Sequence, residues 1–182
     1  MTVEYFQTYS DAGEPRDLVP RNQVHALGLW HCSAHVLLFN AEDELLLQCR
    51  SKDKDLYPNC WDYSVGEHLV PGETFRQGVK RGLLEELGLQ VNTLVSWGEV
   101  KRETWSGIGF IDCSIFQGFV ARANGDVAIM RGEVAQVKWV SLSELSKLLE
   151  SEVAFFTPWS IPHLANSQVA LEMLVEFESA AE

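Results

Sequence analysis

The stretch TFRQGVKRGLLEELG, from Thr74 to Gly88, constrains this chain more than any other segment. Thr74 with Gln77 three positions on forms a capping-box pattern, and Gly88 stands where a left-handed stop ends a helix. Phe75, Val79, Leu83 and Leu87 recur at i+4, so one face of the predicted helix, Thr74 to Leu87, is a core stripe. The remaining side carries Gly78, Gly82, Glu85 and Glu86, which i+3 and i+4 spacing gathers on one surface. Each mid-helix glycine costs about 1 kcal/mol against Ala. Two readings account for them: packing against a neighbouring strand, or close approach of a ligand.

The sequence around this helix reads mainly as strands. Glu4 to Tyr9, a turn cluster at 10–15 and the return through Leu18 and Val19 predict an N-terminal hairpin. Trp30 to Asn40 reads as a strand, 41–43 as a turn and Glu44 to Cys49 as its hairpin partner. A polar loop through Arg50 to Asn59 precedes a short strand, Trp61 to Val65. Beyond the helix, 91–100, 107–122 and 135–140 read as strands, 124–126 as a turn, and 141–149 and 166–179 as helices. This order predicts an α/β protein in which helices flank a curved mixed sheet, with an N-terminal extension, 1–28, before the main domain, 29–182. With 182 residues, 46% of them apolar, the chain can bury one full core.

Its 14 basic and 26 acidic residues leave a net charge of −12, which argues against duplex nucleic acid as a partner. A phosphate ligand would have to be met locally, by a few cations or a metal. No apolar run approaches the roughly 20 residues that span a bilayer, and the polar, acidic start does not resemble a signal peptide. Cys32, Cys49, Cys60 and Cys113, spaced 17, 11 and 53 apart, match no zinc or redox pattern and read as reduced thiols of a cytoplasmic protein. Oligomeric state is left open, a homodimer included.

Glu67 to Leu89, EHLVPGETFRQGVKRGLLEELGL, resembles the Nudix box, with matches at Glu73, Arg81, Leu83, Glu85, Glu86, Gly88 and Leu89. Two positions depart from the pattern. The box glycine is Glu67, and the glutamate after the arginine is Gly82. PRNQVH, GLWHCSAHV, LLLQCRSKDKDLYPNCWD and FTPW extend the likeness to the isopentenyl-diphosphate isomerase-like branch, from about Glu4 to His163. The resemblance implies the Nudix fold and chemistry on a small substrate with a diphosphate linkage. In the isomerases a catalytic Cys precedes the box and a catalytic Glu lies on a later strand; here those positions read Gly66 and Ser114. The resemblance further implies substrate binding by Arg50, Lys54, His68 and Trp159. His31, His68 and Asp112 match a metal site of three His and two Glu, but His25 is one position out of register and Ser114 is a poor replacement for a carboxylate. Packed or hydrogen-bonded histidines are the favoured reading.

Cleaving a diphosphate means bringing a nucleophile to an anionic phosphorus, which calls for a divalent cation such as Mg²⁺ or Mn²⁺. Such ions take oxygen ligands, and carboxylates from one helical turn can share one with substrate phosphates. Glu85 and Glu86 are the expected ligands and catalytic residues. Glu73 is expected either as a further ligand or as the residue orienting the loop. Arg81, four residues before Glu85, reads as an ion-pair partner, and Glu133, six residues before Trp139, as a general base. Because Gly82 removes one box carboxylate, a diphosphate-binding pseudoenzyme stands as the alternative, and Gly82→Glu is expected to raise activity. The loops 107–110 and 154–163 are expected to select the organic half of the substrate.

Overall fold

The computed structural model describes residues 3–107, 109–123 and 125–181, so Asn124 of the expected turn and Ile108 of the expected selectivity loop lie outside it. Strands β1 (Tyr5–Tyr9) and β2 (Pro15–Pro20) pair antiparallel, and β1 joins β3 (Trp30–Phe39). Between them lies a helix that the strand reading passed over, α1 (Arg21–Leu27), which starts after Pro20 and stops at Gly28 in the left-handed region, φ 62°. Both boundaries were written in the sequence as proline before and glycine after.

Strand β3 organises the molecule. It pairs antiparallel with β6 (Val65–His68) and parallel with β8 (Phe110–Arg122), the latter from Trp30 opposite Cys113 to Phe39 opposite Arg122. The expected hairpin between β3 and β4 (Leu45–Arg50) closes at one pair only, Phe39 opposite Leu45. Beyond it β4 turns to β5 (Trp61–Asp62) and β9 (Val134–Val140). The reason is two-sided burial: Val36, Leu38 and Leu46 enter one core, while Leu37, Phe39, Leu45 and Leu47 enter another. A strand buried on both faces reads as a continuous apolar run, so its sequence does not name its partner. The splay leaves a cleft between the two halves of the sheet.

Helix α2 (Phe75–Leu87) covers the first core with Val79, Leu83 and Leu87. The capping box is formed in both directions, Gln77 N–H to Thr74 Oγ1 and Thr74 N–H to Gln77 Oε1, and Gly88 closes the helix at φ 65°. α3 (Leu142–Ser151) and α5 (Ser167–Ala181) cover the second core, with the short α4 (Ile161–Leu164) between them. β7 (Val95–Gly107) extends the sheet as the antiparallel partner of β8. No helix among the described residues is long and apolar enough to cross a membrane.

Candidate active site

The cleft is a cavity of about 650 Å³, walled by β3, β6, α2, the loop after β4 and the β7–β8 ribbon. The turn of α2 that contains Glu85 and Glu86 forms one wall. Glu86 is only 5% exposed, and its Oε2 accepts a hydrogen bond of 2.6 Å from Gln48 Nε2 on β4. Burial, then the neighbouring Glu67 carboxyl, pushes its pKa well above the ordinary carboxylate value. Glu85 is the more open of the pair and accepts from Arg81 Nη1 at 3.2 Å.

Arg81 does more than the expected i+4 pairing. Its Nε and Nη2 grip Glu73 at 2.9 and 3.1 Å, its Nη1 meets Glu67 at 2.9 Å, and Nη2 also donates to the His68 carbonyl at 2.9 Å. One planar guanidinium thus ties α2 to β6 and to the loop between them, which is the geometry that suits Arg over Lys. Glu73 is consumed by this network: one oxygen takes Arg81 Nε and the other takes Arg81 Nη2 and the Val70 N–H at 3.0 Å. Those bonds hold its pKa below the usual value. Of the two roles expected for Glu73, this geometry fits the loop-orienting one, since both of its oxygens are engaged by Arg81.

The second departure from the box has a physical partner. A Cβ on Gly82 would overlap Glu67 Cγ and sit 2.7 Å from Val65 Cγ1 and 2.9 Å from Glu67 Oε1. The expected gain from Gly82→Glu is therefore reversed: the space beside residue 82 is already filled by the Glu67 side chain. At Gly78 the neighbour is Leu69, 3.1 Å from the site of a Cβ, so strand and loop packing accounts for both glycines.

Cations line the same cavity as these carboxylates. Arg50 lies 5.5 Å from the Trp159 ring centroid, donates Nε to the Leu56 carbonyl at 3.1 Å, and reaches Asp62 at 3.5 Å. Trp159 Nε1 donates to the same Asp62 oxygen at 3.1 Å, so Asp62, which the sequence did not single out, positions both. Burial pushes the Asp62 carboxyl up while Arg50 draws it down. Lys54 pairs with Glu133, which places the expected base at the cavity mouth in an ion pair. Arg21, from the unforeseen α1, adds a third cation.

The histidine reading also changes. His25, His31, His68 and Asp112 bring one ligand atom each within 4.8 Å of one another. His25 arrives because α1 turns it inward, a placement that counting in an extended register cannot anticipate. His31 Nδ1 bonds the Leu29 carbonyl at 2.9 Å, which fixes Nε2 as the free lone pair. His25 Nε2, His31 Nε2 and Asp112 Oδ1 are buried with no hydrogen-bond partner among the described residues. Burial and His31 push the His25 pKa down to about 4. The rings also pack on one another and on Phe6, and His31 Nε2 lies 3.5 Å from Asp112 Oδ1, so the cluster combines packed histidines with a donor set of the kind that suits a transition metal.

At the isomerase positions, the Ser114 hydroxyl is hydrogen-bonded to Ser33, and the Tyr63 ring lies over Gly66, its Oη 3.0 Å from where a Cβ would be. Neither a thiol nor a carboxylate stands at either place.

A mixed sheet split by a cleft, with a capped helix delivering carboxylates into it opposite a basic loop, is a Nudix-type α/β sandwich. The NUDIX domain model matches residues 29–160, and the chain belongs to the Nudix family. It is 33% identical over 142 residues to a Nudix hydrolase of Listeria innocua, covering 76% of this chain and 82% of that protein. It is 30% identical over 151 residues to an isopentenyl-diphosphate Delta-isomerase of Paenarthrobacter aurescens, covering 82% of each. A solved protein of Deinococcus radiodurans shares the fold with a TM-score of 0.61 at 19% identity, over 81% of this chain and 90% of that one.

Proposed function

We propose that the chain is a divalent-metal-dependent hydrolase of a diphosphate linkage in a small substrate such as a nucleoside diphosphate. One observation carries this reading: a single cavity is lined both by Glu67, Glu85 and Glu86 and by Arg21, Arg50 and Lys54. Carboxylates alone would repel a diphosphate, and cations alone would hold it without attacking it. The donor set fits Mg²⁺ or Mn²⁺, with Glu85 and Glu86 as ligands from adjacent positions of one rigid helix. Such an ion, when bound, neutralises phosphate charge and lowers the pKa of a coordinated water.

The residues of the chain supply the rest. Arg50, held by Asp62 and Leu56, and Lys54 bind the diphosphate oxygens. Arg81 fixes the carboxylates in place, and Glu73 fixes Arg81. An anionic substrate that engages Lys54 releases Glu133 from its ion pair, which frees that carboxylate as the base. Trp159, which lines the cavity and is in edge contact with Tyr57 at 5.1 Å between ring centroids, gives an apolar surface for the organic half. We place the protein in the cytosol, on the ground of its four free cysteines.

The pseudoenzyme alternative is favoured by one observation, the glycine at position 82. The two are separated by a Mg²⁺- and Mn²⁺-dependent phosphate-release screen of nucleoside diphosphates, dinucleotides and isoprenoid diphosphates. Turnover that stops on chelation of the metal supports the hydrolase. Binding of a diphosphate with no turnover under any metal supports the pseudoenzyme.

The histidine cluster supports a second, nitrogen-rich metal site beside the first. Metal analysis of the purified protein tests it: a stoichiometric ion such as zinc or manganese is expected, and it should be lost in His31→Gln.

A further inference from the structure

The two departures from the box pattern face each other in space. Position 67, glycine in the pattern, is Glu on β6, and position 82, glutamate in the pattern, is Gly on α2. The side chain of the one occupies the volume that the side chain of the other would need, with Glu67 Oε1 2.9 Å from the site of a Cβ on Gly82. We propose that Glu67 is a metal-binding carboxylate that replaces the missing one at position 82, delivered from the strand in place of the helix. This rests on the hydrolase reading above and names a residue that the box pattern does not.

The orientation of Glu67 supports the assignment. Its Oε2 is fixed by Arg81 Nη1 at 2.9 Å, leaving Oε1 against Gly82. Its carboxyl lies within hydrogen-bonding reach of Glu86, so the two acids adjoin in a largely buried setting, where the Glu67 side chain is 14% exposed. Two acids so placed are stable together when a proton or a cation lies between them. The other cations nearby are committed: Arg81 to Glu73, Glu67 and Glu85, and Lys54 to Glu133. Arg81 already has Glu73 and Glu85 as partners, so pairing with it does not by itself account for a third carboxylate. The exchange therefore conserves the number of carboxylates around the cavity while changing the element that holds one of them.

Calorimetric titration with Mg²⁺, which prefers oxygen ligands and so reports on this site over the histidine cluster, tests the assignment without reference to turnover. Glu67→Gln keeps the shape and the Arg81 hydrogen bond and should weaken Mg²⁺ binding by at least tenfold while circular dichroism is unchanged. Glu86→Gln is the control for the underlying metal reading. If Glu86→Gln abolishes Mg²⁺ binding and Glu67→Gln leaves it intact, Glu67 is a structural partner of Arg81 and the inference falls alone. If neither changes it, the hydrolase metal site falls as well. Moving the carboxylate back, as Glu67→Gly with Gly82→Glu and with Val65→Ala to clear the second obstruction, should recover most of the Mg²⁺ affinity lost in Glu67→Gln. A folded relocation variant that binds no better than Glu67→Gln would overturn the equivalence of the two positions.

Discussion

Gly82 stands out at the residue scale for the side chain it lacks. From the sequence its missing side chain looks like a lost carboxylate; in the fold it is the space that Glu67 needs. Gly82→Ala tests this without adding charge. Helix propensity alone predicts a gain of about 1 kcal/mol, whereas overpacking against a β-branched Val65 and a buried Glu67 costs roughly 1–3 kcal/mol. Net destabilisation with weaker metal binding is expected in chemical denaturation; a stabilised variant would mean that the wall yields. His35 offers a second residue-scale test. It is buried against Tyr63, Phe116 and His163, and its Nε2 has no partner among the described residues. Burial, then His163, holds its pKa well below 6.5. A lowered folded pKa means that the unfolded chain takes up the proton first, so the stability is complete above 6.5 and is lost as pH falls below it. Replacing His35 with Gln should therefore cost more at pH 7.5 than at pH 5. Equal costs at the two pH values would contradict the burial of a neutral imidazole.

Elements differ in how openly the sequence declared them. α2 was legible end to end because cap, stripe and stop are all local signals, and each is present: the Thr74–Gln77 box, Val79 to Leu87 in the core, Gly88 in the left-handed region. Thr74→Ala should cost about 1 kcal/mol of stability and, by fraying the turn beside Glu73, loosen the loop that Arg81 grips. Unchanged thermal stability would show that tertiary packing alone holds the helix start. β3 and β4 were legible as strands but not as partners. Apolar residues on both faces carry no alternation to fix a register, so the return to β9 and the parallel pairing with β8 are tertiary outcomes. α1 was missed because seven residues offer one buried face, Val24 and His25, too little for a periodic signal.

At the scale of the whole molecule, the site is the gap that forms where the two halves of one sheet part. That gap collects Arg50 and Asp62 from one half, His35, Glu67 and Ser114 from the other, and Glu85 and Glu86 from the helix laid over it. The box residues of this site were legible because their spacing is fixed within one helix. Asp62, His35 and the arrival of His25 were not, since they depend on which strands meet. The scaffold is shared with isomerases, yet Gly66 beneath Tyr63 and Ser114 bonded to Ser33 offer carbon no acid or base. Isopentenyl diphosphate should give no allylic isomer; steady enzyme-dependent formation of that product would overturn the distinction. The most direct test of the central claim is phosphate release from the best diphosphate substrate under saturating Mg²⁺, comparing the parent with Glu86→Gln. The expected result is metal-dependent turnover in the parent and a loss of at least a hundredfold in the variant, with the fold retained. Equal turnover in both proteins would place the chemistry outside the carboxylate cluster and contradict the account.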